Sequence, residues 1–153
     1  YHIENGKVEF LGATKVVNDH RGRFRGIDVA PRWSKLIDQE LAAFLYKEEL
    51  FGEWYHKIIP EELGSLLDQY NGPVSIDAMV WRDSYGRLCL RKIVELNVRM
   101  TMGRVALDLQ KRMAASKSCS LRIEKKNSFK GEEGLVLNDP EKAIEFLAVW
   151  KVN

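Results

Sequence analysis

The chain has 153 residues, 45% of them apolar, with 24 basic and 22 acidic side chains and a formal net charge of +2. This is enough for one ordinary domain with a real core, and it excludes wholesale disorder. The charge is too balanced to point to nucleic acid, and no apolar run approaches the ~20 residues of a membrane-spanning helix, so neither nucleic acid nor membrane is an expected partner.

Residues 1–29 read as a β-meander. "YHIENGKVEFLG" alternates around Asn5-Gly6, a hairpin-turn dipeptide. "ATKVVND" and "HRGRFRGIDVA" follow, with Arg and Phe alternating between Gly22 and Gly26. Tyr1 is not a methionine, and the opening residues already have strand character, which predicts a piece of a longer chain. From Trp33 to about Tyr70 the period becomes helical. Leu36, Ile37, Leu41, Phe44 and Leu45 recur at three- and four-residue steps. Pro60 suits a helix's first turn, with Leu63, Leu66, Leu67 and Tyr70 as the buried stripe.

Asn71-Gly72-Pro73 ends that helix. "VSIDAMVW", a turn at "RDSYGR" and "LCLRKIVELNVRM" form a second hairpin. A helix "RVALDLQKRMAA" follows, with Val105, Leu109 and Met113 on its stripe. A strand is expected over 120–125. Asn138 or Asp139 can cap a last helix over 140–146, and "FLAVWKV" closes the chain as helix or strand.

The second hairpin holds the chemistry. Side chains of a strand alternate between faces, so Glu95, Asn97 and Arg99 share one side. Val94, Leu96 and Val98 share the other, as do Ile76, Ala78 and Val80 on the first strand. A three-residue loop at Tyr85-Gly86-Arg87 sets Ser84 opposite Leu88. Counting back then places Asp77 opposite Glu95, Ile76 opposite Leu96 and Ala78 opposite Val94. A two-residue loop would mix the faces unless a bulge corrected it.

Opposed carboxylates repel, so something must compensate. One answer is structural: a solvated sheet face with an ion pair to Arg99 or a lysine. The other is a magnesium ion, which takes oxygen ligands, often only one or two carboxylates, and fills its shell with water and phosphate oxygens. Asp77, Glu95 and the Asn97 amide oxygen supply such a set. Arg99 can grip a phosphate or carboxylate with its planar fork, and the helix after Gly103 offers free N–H groups to an anion.

"VSIDAMVWRDSYGRLCLRKIVELNVRMTMG" resembles the end of the ATP-grasp fold, where an acidic residue on one strand precedes a turn and an E-x-N-x-R strand. Asp77, Glu95, Asn97 and Arg99 match in order. The opening meander is also similar to the one before the family's metal strands. The resemblance implies an ATP-dependent ligase in which a small carboxylate substrate forms an acylphosphate that an amine or related nucleophile captures. It implies magnesium ligands at Asp77, Glu95 and Asn97, and a catalytic Arg99 that contacts ATP phosphate or the acylphosphate. The family's first lobe, with its phosphate lysine and glycine-rich loop, is not found here, so residues 1–153 are expected to be a second lobe alone, inactive without the missing N-terminal part.

Arg21, Arg23 and Arg25 either form a solvated turn or reach the phosphates, with Arg21 and Arg23 as nucleotide-contact candidates. His2, His20 and His56 lie far apart and show no catalytic partner. Cys89 and Cys119 read as free thiols in a reducing, cytoplasmic setting. Cys119 has lysine and serine neighbours able to lower its pKa, yet nothing places a base beside it. Trp33, Trp54, Trp81 and Trp150 are expected in or near the core. "FKGEEG" is a surface loop or a lid. The expected fold is α+β, a largely antiparallel β-sheet with helices on one face. The alternative function is a non-catalytic binding or interaction domain in which Asp77, Glu95 and Arg99 form a surface ion-pair network.

Overall fold

Asn5 and Gly6 both take positive φ, 51° and 75°. This is the type I′ geometry that joins two twisted strands with a two-residue loop. It fixes β1 (His2–Glu4) against β2 (Lys7–Glu9) with Ile3 opposite Val8. The computed structural model describes residues 1–47, 50–131 and 134–153. The fold is α+β. Its strands pair antiparallel throughout, but among the described residues they fall into three sheets, not the single one expected. The chain forms two compact units, Tyr1–Gly12 with Ile37–Arg104 and Ala13–Leu36 with Val105–Asn153.

In the first unit, β5 (Gly72–Pro73) pairs with the free side of β1. α1 (Gln39–Tyr46) starts where the Asp38 carboxylate accepts the Leu41 N–H at 2.8 Å. That bond satisfies one of the donors a helix start leaves open. α2 (Leu50–Glu53) runs through a π-turn (Trp54–Ile58) into α3 (Ile59–Leu66). The Ile59 N–H reaches five residues back to the Trp54 carbonyl. Pro60 explains the widening: it has no N–H, and its ring would press on the His56 carbonyl in a normal turn. Phe51, Tyr55, Ile59 and Leu63 are buried along this run. Leu66, expected in the stripe, is exposed; the buried line follows the i, i+4 steps 51, 55, 59, 63, and Leu66 lies off it.

β6 (Ser75–Arg82) and β7 (Leu88–Asn97) form a separate two-stranded sheet. Their connection is a five-residue loop, 83–87. Asp83 organises it by accepting the N–H groups of Tyr85 and Arg87, both at 2.9 Å. The expected three-residue loop is therefore corrected: Arg82, not Ser84, pairs with Leu88. Trp81, expected near the core, lies exposed on this hairpin.

The second unit is a five-stranded antiparallel sheet. β3 (Lys15–Asn18), β4 (Phe24–Val29), β8 (Cys119–Lys125), β10 (Phe146–Val152) and β9 (Leu135–Val136) stand in that order across it. The meander is thus split between two sheets, with β1 and β2 in one unit and β3 and β4 in the other. Ile27, Val29, Leu121, Leu147, Val149 and Trp150 are buried in this unit, each large side chain contributing about 1.5–3 kcal/mol. Gly26 sits against the Leu121 carbonyl, where any Cβ would collide. α4 (Met102–Met113) buries Ala106, Leu107 and Gln110, not the Val105–Leu109–Met113 stripe.

The expected last helix does not form. Asp139 accepts the Glu141 N–H at 2.9 Å and caps only a turn, while Asn138 accepts the Ala148 N–H at 2.8 Å and ties the segment to β10. Residues 146–152 are strand. Cys89 and Cys119 are free thiols. Burial pushes the Cys119 thiol up, and Lys117 offsets it only partly. Among the described residues no helix is long and apolar enough to cross a membrane. The 129–134 loop contains Glu132 and Glu133, and the 33–70 helical stretch contains Glu48 and Glu49; all four lie outside the described residues.

Candidate functional site

Asp77 on β6 pairs directly with Glu95 on β7, Ile76 with Leu96, and Ser75 with Asn97. The register differs by two residues at the loop end, where Met79 pairs with Arg91 and Trp81 with Cys89. The irregularity lies between Asp77 and Met79. There Ala78 faces the stretch Lys92, Ile93 and Val94. A bulge thus absorbs the longer loop and restores the carboxylate pairing. Cross-strand partners point to the same face, so Ser75, Asp77, Glu95 and Asn97 form one polar patch.

Desolvation raises the Asp77 pKa, Glu95 raises it further, and Arg99 pulls it down. The carboxylates are therefore close enough to repel, with the guanidinium in range of both effects. Asp77 and Glu95 are exposed, while Asn97 is 7% exposed. Arg99 donates to the Asn97 amide oxygen at 3.0 Å and to the Met100 carbonyl at 3.4 Å. Next to them the hydroxyls of Ser75 and Thr101 share a hydrogen bond of 2.7 Å. Thr101 directly precedes α4 and accepts the Arg104 N–H at 3.4 Å, so one of the helix's open donors is already engaged. Gly103 is the second residue of α4 rather than its herald.

The donor set has the chemistry of a hard divalent cation. Two facing carboxylates supply negative charge that Arg99 offsets only in part. Among the described residues no three His, Cys, Asp or Glu side chains gather as metal ligands, so a cation here draws its other ligands from an amide, water or a bound anion. The Asn97 amide oxygen accepts from Arg99 and keeps a second lone pair for a cation.

Arg21 and Arg23 belong to the second unit, in a turn built around Asp19. The Asp19 carboxylate accepts the N–H groups of Arg21 at 2.9 Å and Arg23 at 3.0 Å, and the Arg25 guanidinium at 3.1 Å. Those bonds hold its pKa low. Both Arg21 and Arg23 side chains are exposed. Asp77, Glu95, Asn97 and Arg99 lie together in the first unit.

Ser75 was not singled out from the sequence. Its position two residues before Asp77 puts it on the same face, and that spacing could have identified it. The same alternation puts Met79 and Trp81 on this face, and neither was singled out. Comparison with protein-family models, curated proteins and solved structures gives no match.

Proposed function

We propose that the β6–β7 hairpin carries the magnesium and phosphate half of an ATP-grasp-type ligase site, acting on a small carboxylate. The observation that carries this reading is the direct pairing of Asp77 with Glu95, with Arg99 bonded to Asn97 on the same strand. Asp77 and Glu95, joined by Asn97, would hold the cation, which would supply positive charge against bound phosphates. Arg99 is the group to orient the transferring phosphoryl or the acylphosphate. Arg21 and Arg23 remain proposed nucleotide contacts only. The phosphate lysine and glycine-rich loop would come from a first lobe.

In the full-length protein, Glu95→Gln should abolish ATP consumption while the thermal unfolding profile stays intact. Near-normal turnover would overturn the metal role. The 153-residue chain titrated with Mg-ATP by calorimetry should show no micromolar binding; micromolar affinity would overturn the half-site reading.

A second reading has its own support in the exposed Met79 and Trp81. They sit on the carboxylate face of the hairpin and suit a non-catalytic interaction domain with a surface ion-pair network. Under it, Glu95→Gln leaves ATP consumption untouched and weakens association instead.

A further inference from the structure

The β6–β7 hairpin holds two registers in one ladder. At the loop end Met79 pairs with Arg91 and Trp81 with Cys89; at the other end Asp77 pairs with Glu95 and Ser75 with Asn97. Carried through without the bulge, the loop-end register would set Asp77 opposite Ile93 and Ser75 opposite Glu95. The two registers differ by two residues, so each keeps the polar and apolar side chains on their own faces. Hydrophobic phasing excludes a one-residue slip but does not choose between these two. The carboxylate pair therefore exists only while the bulge stays where it is. A bulge leaves backbone groups outside the ladder, and those need partners from elsewhere in the fold.

The π-turn supplies them. Its first two residues, Trp54 and Tyr55, both meet Lys92 in the bulge. The Tyr55 hydroxyl donates to the Lys92 carbonyl at 2.8 Å. The Lys92 ammonium lies 3.4 Å from the centre of the Trp54 ring, a cation–π contact. Tyr55 is itself held from behind. The Ile59 N–H goes to the Trp54 carbonyl, and Pro60 has no N–H to give. The Tyr55 carbonyl thus lacks its helical donor and accepts the Tyr1 hydroxyl at 2.9 Å instead. Tyr55 is 8% exposed, and its ring centre lies 5.4 Å from that of Phe51. The phenol is a donor fixed in place by packing on one side and a hydrogen bond on the other.

We propose that Tyr55 is a positioning residue for the Asp77–Glu95 pair: its hydroxyl fixes the bulge at Lys92 and so selects the register that opposes the two carboxylates. Its effect on activity rests on the ligase reading; its effect on the register does not. Nuclear Overhauser contacts between backbone protons across the hairpin of the 153-residue chain test the register. Tyr55→Phe removes the hydroxyl and keeps the ring. The variant should lose the Asp77–Glu95 contact and gain Asp77–Ile93 and Ser75–Glu95 contacts, while Trp81–Cys89, on the loop side of the bulge, stays. An unchanged Asp77–Glu95 contact would overturn the proposal. So would loss of the Asp77–Glu95 and Trp81–Cys89 contacts together, which would make Tyr55 a packing residue only. In the full-length protein the same variant should raise the magnesium concentration for half-maximal ATP consumption about tenfold. The rate at saturating magnesium should recover, because a bound cation favours the opposed pair and pulls the register back. A shifted register with unchanged magnesium dependence would keep Tyr55 as the anchor of the register and overturn the cation reading of the pair instead.

Discussion

Asp77 shows what a local conflict costs and how it can be read. Its carboxyl titrates above the usual range because burial and Glu95 both disfavour its charge. A carboxylic acid whose folded pKa is raised binds more protons in the folded than in the unfolded state. Stability then falls as pH rises from the unfolded value through the folded one, and the penalty is constant above both. Asp77→Asn should therefore stabilise the chain at pH 7 and lose that advantage below about pH 4, near the unfolded value of an aspartate. The side chain is exposed, so the gain is small, a few tenths of a kcal/mol, and salt should shrink it further. Thermal melts of both proteins at pH 7 and pH 3.5 measure this. A variant less stable than wild type at pH 7 would mean that Asp77 makes a favourable bond instead. Hydrophobic phasing made the Asp77–Glu95 pair legible, because a wrong register would have mixed the faces. The bulge that creates it was not legible, since it depends on a loop two residues longer than the turn signal suggested. The bond from Arg99 to Asn97 is not legible either, because two side chains i, i+2 on one strand face can bond each other or an external ligand equally well.

At the level of elements, caps and prolines explain most of the outcome. α1 has an ordinary start, with Asp38 holding the Leu41 N–H. Asp38→Ala should cost about 1 kcal/mol, and Asp38→Asn much less, as chemical denaturation would show. An alanine variant as stable as wild type would mean that water satisfies this donor equally well. Asp139 offers an instructive contrast. It carries the same capping chemistry and accepts the Glu141 N–H, yet no helix follows. The residues behind it, 146–152, have the apolar, β-branched and aromatic content of a strand and find a long partner in β8. Tertiary pairing outweighs a good cap when the segment after it has somewhere better to bury. The same competition explains α4. Its periodicity was correctly helical, but the period alone does not say which stripe meets the core, and Ala106, Leu107 and Gln110 took that position.

On the scale of the whole molecule, sequence neighbours part company. β2 ends at Glu9 and β3 begins at Lys15, yet they belong to different sheets and different units. Alternation reports which residues share a face and says nothing about which sheet a strand joins, so the split meander could not be read from the pattern. The partition has a consequence for local stability. β4 lies between β3 and β8, and β8 between β4 and β10, so each is bonded along both edges. Among the described residues β6 and β7 have only each other, and a two-stranded sheet is marginal alone. Opening β8 must break two ladders and expose Leu121, which is 0% exposed; opening the loop end of the hairpin breaks one ladder and uncovers little apolar surface. Native-state hydrogen exchange should therefore protect the amides of Ile27, Leu121 and Val149 at least about a hundredfold more than those of Val80 and Trp81. Uniform protection across both units would mean that they open as one cooperative body, and the two-ladder argument would fail.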